Sequence, residues 1–439
     1  MANICQPPAP KKTHCLPSDR AHRAPVRFLG FAASLLLFFL FFLTAHACRA
    51  QSHDVICDKG AGDFEAEFRT GVKVHVGAAR NGELATRLCD AAVSWDKGNL
   101  AIAAGASQLD VDAFGVDLGL GVPVVAFQVK KSAAECCMEY KIYSLRTPAV
   151  FLRSITGGEF FSAADTDMDG RVEIWTNDAA AVKGFENFLL SELDFAPPVV
   201  LRFVRGRLLD ASTEFQPYFD RKIAQERAKL NPLDLDDFKS SDGKLTSSAS
   251  VSATHLFHLR SVKMKALEIV WSYLYSGREE EAWQTLAEMW PATDVDRIRD
   301  ALLRARARGI RAQVDGVSTE VRTGRETQTK IFDATKVPVA TPELTPKGLD
   351  PKLEITTPKA ILMLRPPPAN AMELGLAQTE SQLELVIDSA GKVRSAEMVG
   401  AHLPDEGLMN STSTWKFIPA FNAGRPVASR ILLGVSLKR

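Results

Sequence analysis

The rhythm of hydrophobic and polar positions changes several times along the chain. From Phe28 to Leu43 there is no charged residue, only Phe, Leu, Gly, Ala and Ser. From Asp63 to about Trp175 the apolar runs are short. Val72-Lys-Val74-His-Val76, Leu100-Ala-Ile102, Val124 to Val129 and Val172-Glu-Ile174-Trp175 alternate or run for a few residues, then break on Gly, Asn or Asp. Alternation with turn residues at this spacing predicts an all-β unit, a small sandwich or a propeller-like fragment. No fixed repeat runs through it, which argues against a complete propeller.

The period then lengthens. Tyr218 to Leu230 carries charges throughout, with Phe219, Ile223 and Ala224 as its apolar side, and Asn231-Pro232 ends it. Leu267, Val270, Trp271, Leu274 and Tyr275 recur at three and four, one face of a helix that Ser276-Gly277 breaks. Glu279 to Trp290 predicts a second helix, with Ala282, Leu286 and Met289 inward and Pro291 as its stop. Asp294 to Arg308 predicts a third, capped by Thr293 and ended by Gly309. The helix–Gly turn–helix order with Ala-Trp resembles a tetratricopeptide hairpin. One unit makes no solenoid, because such repeats bury their faces on neighbours, so a plain helical subdomain is expected. Arg311 to Leu353 is rich in Thr, Pro, Lys, Glu and Asp and reads as a linker.

Composition permits ordinary cores, at 46% hydrophobic and 24% charged residues. The net charge of zero argues against a whole-molecule nucleic-acid footprint. The N-terminus points to export. Lys11, Lys12, Arg20, Arg23 and Arg27 precede the apolar run, and Ala45-His46-Ala47 follows it as an A-x-A cleavage pattern. Extended to Ala47, the run also has the length of a membrane span with its basic flank inside. Cys48 resembles a lipoprotein processing site. Beyond Ala50 the cysteines are Cys57, Cys89, Cys136 and Cys137, which in an exported chain suit one or two disulfides. A vicinal bond is strained, so Cys57–Cys89 plus a bond from one of the adjacent pair is the expected pattern. No zinc spacing is present.

The sharpest local motif is Asp165-Thr-Asp167-Met-Asp169-Gly170-Arg171-Val-Glu173. Three carboxylates at alternate positions can fold round one hard cation, Gly170 permits the turn, and the Arg171 carbonyl and Glu173 carboxylate can close the oxygen shell that Ca²⁺ requires. Thr176 stands where an EF-hand needs a bidentate Glu. The spacing resembles the calcium loops of integrin-type propeller repeats, with Glu173 in place of the last Asp, and implies a structural Ca²⁺. The bland reading is an acidic turn that holds no metal. His53, His75, His255, His258 and His402 are scattered; His255 and His258 can share a helix face, without a third ligand at metalloprotease spacing. Gly119-Leu-Gly121 lacks the third glycine of a dinucleotide loop, and Pro123 follows, so a β turn is expected. Arg304, Arg306 and Arg308 read as a solvated basic face. No nucleophile motif is present, and no enzyme is expected.

From about Thr379 the chain carries an ordered set of signals. Gln382-Leu-Glu-Leu-Val-Ile387 alternates, Asp388-Ser-Ala-Gly391-Lys turns, and Val393 to Val399 returns. Leu403 to Thr414 holds a short helix, then come Trp415-Lys-Phe417-Ile-Pro419-Ala420, Asn422-Ala-Gly424-Arg-Pro426-Val427 and Ile431 to Leu437. This resembles the TonB C-terminal domain family, over the last 60 residues well and over residues 365–439 if Arg365-Pro-Pro-Pro368 is the domain entry. Pro-Pro-Pro replaces the family's Tyr-Pro, and about 300 residues stand where most transducers have only a Pro-rich spacer. The resemblance implies a β-β-α-β-β unit whose final strand offers a free edge to a short peptide of an outer-membrane receptor.

The expected architecture is α+β and multidomain: a signal peptide or membrane anchor over residues 1–50, a β-rich domain with a calcium loop over 51–200, a helical region over 201–310, a linker over 311–353, and a TonB-like unit over 354–439. The expected function is a periplasmic envelope protein that docks partner proteins by strand addition and, if Phe28–Ala47 is retained as an inner-membrane anchor, couples inner-membrane energy to outer-membrane transport. The rival is an exported, calcium-stabilised scaffold with no energy-transducing role.

Overall fold

The computed structural model describes residues 55–82, 84–134, 136–188, 196–245, 252–319, 359–362, 372–375, 381–400, 406–422 and 425–437. The chain is mixed α+β and strand-rich, with several sheets. Ser52–Arg439 clusters as one compact unit. No helix among the described residues is long and apolar enough to cross a membrane; Phe28–Ala47, His53 and His402 lie outside them.

The centre is a five-stranded antiparallel sheet in the order Cys57–Asp58, Gln108–Val116, Val124–Lys130, Met138–Ser144, Phe151–Gly158. Its middle strands are covered on both faces, and the two-residue period sorts them. Val125, Phe127 and Val129 enter a core shared with a second sheet, whereas Val124 and Ala126 enter a core shared with a third sheet and the helices. The second sheet is the meander Phe64–Glu67, Lys73–Asn81, Leu84–Trp95, Gly98–Ala106. Together they make a sandwich, stapled by the Cys57–Cys89 disulfide between the two sheets. The expected bond from one of Cys136 and Cys137 to a third cysteine is not made. Cys57 and Cys89 consume each other, and the two neighbours bond together.

The third sheet runs Phe161–Ala164, Glu173–Asn177, Pro198–Val204, Arg207–Asp210, and ends with Gly316–Val317 lying parallel to Leu209–Asp210. The start of the expected linker is therefore a strand. Outside this sheet lie helices Gln216–Ala228, Pro232–Lys239, Ala253–Tyr275, Glu279–Met289 and Val295–Arg308. The long helix buries Leu259, Val262, Ala266, Leu267, Val270, Trp271 and Leu274 at three and four spacing. Its first turn is capped by Ser252, whose hydroxyl accepts from the His255 N–H at 3.2 Å. The last of these helices starts from Asp294, not Thr293. The Asp294 carboxylate accepts from Trp290 and Arg297 rather than from the helix backbone.

The C-terminal sheet has the order Met372–Gly375, Ser429–Leu437, Ser381–Ile387, Val393–Gly400, all antiparallel. Glu406–Thr412 is the helix. Leu383, Leu385, Ile387, Leu408, Trp415, Phe417 and Ile431 form its core, with Val393 and Leu433 partly buried against it. The Val435 side chain lies outside the described residues. Two expectations change. The final strand does not offer a free edge along its length, because Gly434–Leu437 pairs with Met372–Gly375. Arg425-Pro426-Val427 is the return strand on Ala420–Asn422, not the turn. Pro419 falls between two short strands, where its missing N–H interrupts no ladder.

Candidate cation site and its junction

The acidic loop connects Phe161–Ala164 to Glu173–Asn177. Met168 (φ 61°) and Gly170 (φ 87°) take left-handed conformations that reverse the chain, and space beside Gly170 is open. Asp165, Asp167 and Asp169 converge, with one carboxylate oxygen from each lying within 4.8 Å of the others. Among the described residues this is the one group of three or more metal-ligating side chains so placed.

Burial grades across the three. Asp165 is 2% exposed, Asp167 intermediate, Asp169 exposed. Asp165 Oδ2 accepts from the Gly170 N–H at 3.1 Å and from Ser389 Oγ at 2.8 Å, while Oδ1 is buried without a hydrogen-bond partner. Burial pushes the Asp165 carboxyl up, the Ser389 and Gly170 bonds notwithstanding. Asp169 is engaged by Arg171, whose guanidinium lies at 2.6–2.7 Å from Oδ2 and whose N–H donates to Oδ1 at 2.8 Å.

Glu173 stands outside the convergent group. It is 0% exposed, and its Oε2 accepts from the Thr166 N–H at 3.1 Å. Oε1 lies 3.7 Å from Arg202, which is itself committed to Glu214 through two bonds of 2.8 and 2.5 Å. Burial pushes the Glu173 carboxyl up to about 7; Asp169 and Asp165 add to this, while the Thr166 bond and Arg202 oppose it. Two buried carboxylate oxygens, Asp165 Oδ1 and Glu173 Oε1, thus lack hydrogen bonds at one loop. Such atoms are expensive in a folded protein; Glu173 Oε1 faces the Arg202 guanidinium, and Asp165 Oδ1 is the one whose chemistry fits a hard cation.

The loop also meets the C-terminal unit. Phe161–Ala164 is the outer strand of its sheet. Its outward N–H groups are nevertheless satisfied at alternate positions, by Gln128 Oε1 at Phe161 (2.6 Å) and by Asp112 Oδ2 at Ala163 (2.7 Å). The next, at Asp165, donates to Asp388 Oδ2 at 3.1 Å. Asp388 also accepts from Ala390 and Lys392 in its own turn, at 2.9 and 2.8 Å. Burial lifts its carboxyl to about 6, against the Lys392 bond and the Arg394 charge. Arg394 donates to the Thr166 carbonyl at 2.5 Å. Two buried ion pairs continue the contact: Lys392 with Asp112 at 2.6 Å, and Lys416 with Asp110.

Other sequence candidates disperse. His258 pairs with Asp234 at 2.9 Å and His255 with Asp237 at 3.6 Å, each across to helix Pro232–Lys239. The amides of Gly119, Leu120 and Gly121 all donate to Asp117 Oδ1 at 2.8–3.0 Å, so the turn's anion nest is filled by its own carboxylate. Arg306 is buried over Tyr275, whereas Arg304 and Arg308 are exposed, so the three share no face. Asp110, Asp112, Asp388, Ser389, Lys392 and Lys416 were not singled out from sequence. The available signal was Asp110-Val-Asp112, two carboxylates on one face of an otherwise apolar strand. No family model, no curated protein and no solved structure matches the sequence.

Proposed function

We propose that the chain is a cell-envelope binding scaffold: a cation-stabilised sandwich and helical layer that hold a TonB-like C-terminal sheet in a fixed orientation for strand addition by a partner protein. The observation that carries this reading is the succession over residues 381–437 of two strands, a short helix, three short strands and a long final strand, with Trp415 and Phe417 in its core. The strand pair, the helix, the Trp415–Phe417 segment and the final strand come in the order of the resemblance, with the short strands Ala420–Asn422 and Arg425–Val427 added between the last two. Val393–Gly400 is the sheet's outer strand, with no strand on its far side among the described residues and with Val399 46% exposed. We therefore move the docking edge from the final strand to Val393–Gly400. An incoming extended segment satisfies the open backbone groups there, which is the driving force of strand addition.

The buried ion pairs at Asp110 and Asp112 favour a scaffold over a transducer, since they hold the C-terminal sheet on the sandwich rather than on a free tether. Energy coupling further requires that Phe28–Ala47 remain in the inner membrane, because force does not pass through a released protein. Fractionation of intact cells distinguishes the readings. A retained segment leaves the chain in the inner membrane, a cut one releases it to the periplasm, and a cytoplasmic chain with an intact N-terminus defeats both. Docking is tested by amide hydrogen exchange with synthetic peptides taken from periplasmic extensions of outer-membrane receptors. Protection confined to residues 393–400 is expected. Protection elsewhere, or none from any peptide, defeats the assignment of this edge.

A further inference from the structure

We propose that the cation site is composite: the turn Asp388–Lys392 forms its outer wall, so that binding of a hard divalent cation in the Asp165–Asp169 loop and seating of the C-terminal sheet on the sandwich are one coupled equilibrium. This rests on the reading of the loop as a Ca²⁺ site and names how that site is regulated.

The loop's first two residues are held from a hairpin more than 220 positions away. Ser389 Oγ donates to Asp165 Oδ2, Asp388 Oδ2 accepts from the Asp165 N–H, and Arg394 donates to the Thr166 carbonyl. The same Asp165 carboxylate keeps its other oxygen, Oδ1, buried and without a hydrogen bond. One side chain therefore faces two ways: one oxygen is oriented by the C-terminal turn, the other is left for a cation. A ligand carboxylate fixed by an outer hydrogen bond pays less ordering entropy on coordination, and loss of such a partner typically weakens metal binding by about 10–100-fold. The cation acts back on the turn. Coordination fixes the Asp165 carboxylate and backbone in the positions that Ser389 Oγ and Asp388 Oδ2 engage. Linkage makes the two effects equal: whatever factor seating contributes to cation affinity, the cation contributes to seating.

Tb³⁺, a luminescent stand-in for Ca²⁺, reads the site in the full chain. Trp175 donates its indole N–H to Thr166 Oγ1 at 2.6 Å, which places a sensitising ring at the loop. Tb³⁺ is titrated against wild type, Ser389→Ala and Lys416→Met, with Ca²⁺ as competitor. The Lys416 ammonium pairs with Asp110 on the central sheet, so it loosens seating without removing a loop contact. Affinity is expected to fall about 10–100-fold in Ser389→Ala and several-fold in Lys416→Met. In wild type, which carries no folding risk, saturating Ca²⁺ is expected to slow exchange of the Asp388 and Gly391 amides, which bond within the turn. If wild type binds Tb³⁺ but Ser389→Ala binds it equally and Ca²⁺ leaves those amides unchanged, the coupling is wrong and the simple loop site stands. If wild type binds no Tb³⁺, the site itself fails and the coupling with it.

Discussion

At the residue scale, the loop sets two charges in competition for Asp169. The Arg171 guanidinium already pairs with it, and any divalent cation must displace that pair or share the carboxylate. The side chains of this pair are 45% and 28% exposed, and pairs so open to solvent contribute about 0.2–1 kcal/mol. A cation chelated by three carboxylates outweighs that. Arg171→Ala, which keeps the backbone carbonyl, should therefore raise Ca²⁺ affinity by roughly twofold to fivefold, measurable by isothermal titration. Asp167→Ala with Asp169→Ala should do the opposite. At Ca²⁺ near one hundred times its dissociation constant, wild type should gain about 2.7 kcal/mol over the chelator-treated protein, and the double variant should gain nothing. Equal melting of wild type with calcium and with chelator would overturn the metal assignment.

At the scale of elements, the C-terminal helix Glu406–Thr412 is short and made of weak helix formers, so the sheet beneath must hold it. Trp415, 1% exposed, fills that contact along with Leu408 and Phe417. Trp415→Ala should destabilise this unit by about 3–5 kcal/mol, read as a lower melting temperature in calorimetry; an unchanged melt would contradict the packing role of Trp415. In the helical layer, Glu186 sits at φ 52° and accepts from Lys263 at 2.9 Å and from Arg297 at 2.6 and 3.0 Å. Burial alone would push its carboxyl up, but the Arg297 and Lys263 bonds outweigh burial and hold it below the usual carboxylate range. A carboxyl lowered by folding contributes stability above its unfolded value and loses it as pH falls through the folded one. Glu186→Gln should accordingly melt below wild type at pH 6, by about 1.5–3 kcal/mol for charged hydrogen bonds. The gap should close in acid; a gap unchanged by pH would contradict the ion network.

At the scale of the molecule, the sandwich is held by a covalent tie as well as by its core. Cys57 and Cys89 are both fully buried and 32 residues apart, and they join strands of different sheets. Constraint of the unfolded chain by a loop of this length contributes about 2–4 kcal/mol. Paired replacement by Ala should lower the denaturant midpoint accordingly, with little change in the m-value beyond that of the released loop. Reducing conditions should act on wild type in the same direction and leave the pair variant unaffected; equal sensitivity of both would contradict the tie. A fold that draws on this bond suits an oxidising compartment.

What the sequence determined by itself was local. The two-residue alternation of Val72–Val76, the three-and-four spacing of Leu267–Leu274, the turn at Asp388–Gly391 and the Asp165–Gly170 loop each depend on neighbours in the chain, and near neighbours are legible without a fold. The gathering of Asp165, Asp167 and Asp169 belongs here too, because a turn at Gly170 is enough to produce it. The tertiary structure alone decided the rest. Whether Val124 to Val129 is a strand covered on one face or two depends on what packs over it. Which edge of the C-terminal sheet stays open depends on where Met372–Gly375 lies. That Lys392 and Lys416 meet Asp112 and Asp110, and that Ser389 steadies Asp165, depends on contacts across more than 200 residues. Charges in sequence carry no mark of their distant partners. Burial creates the need for a counter-charge, and only the folded chain shows which one meets it.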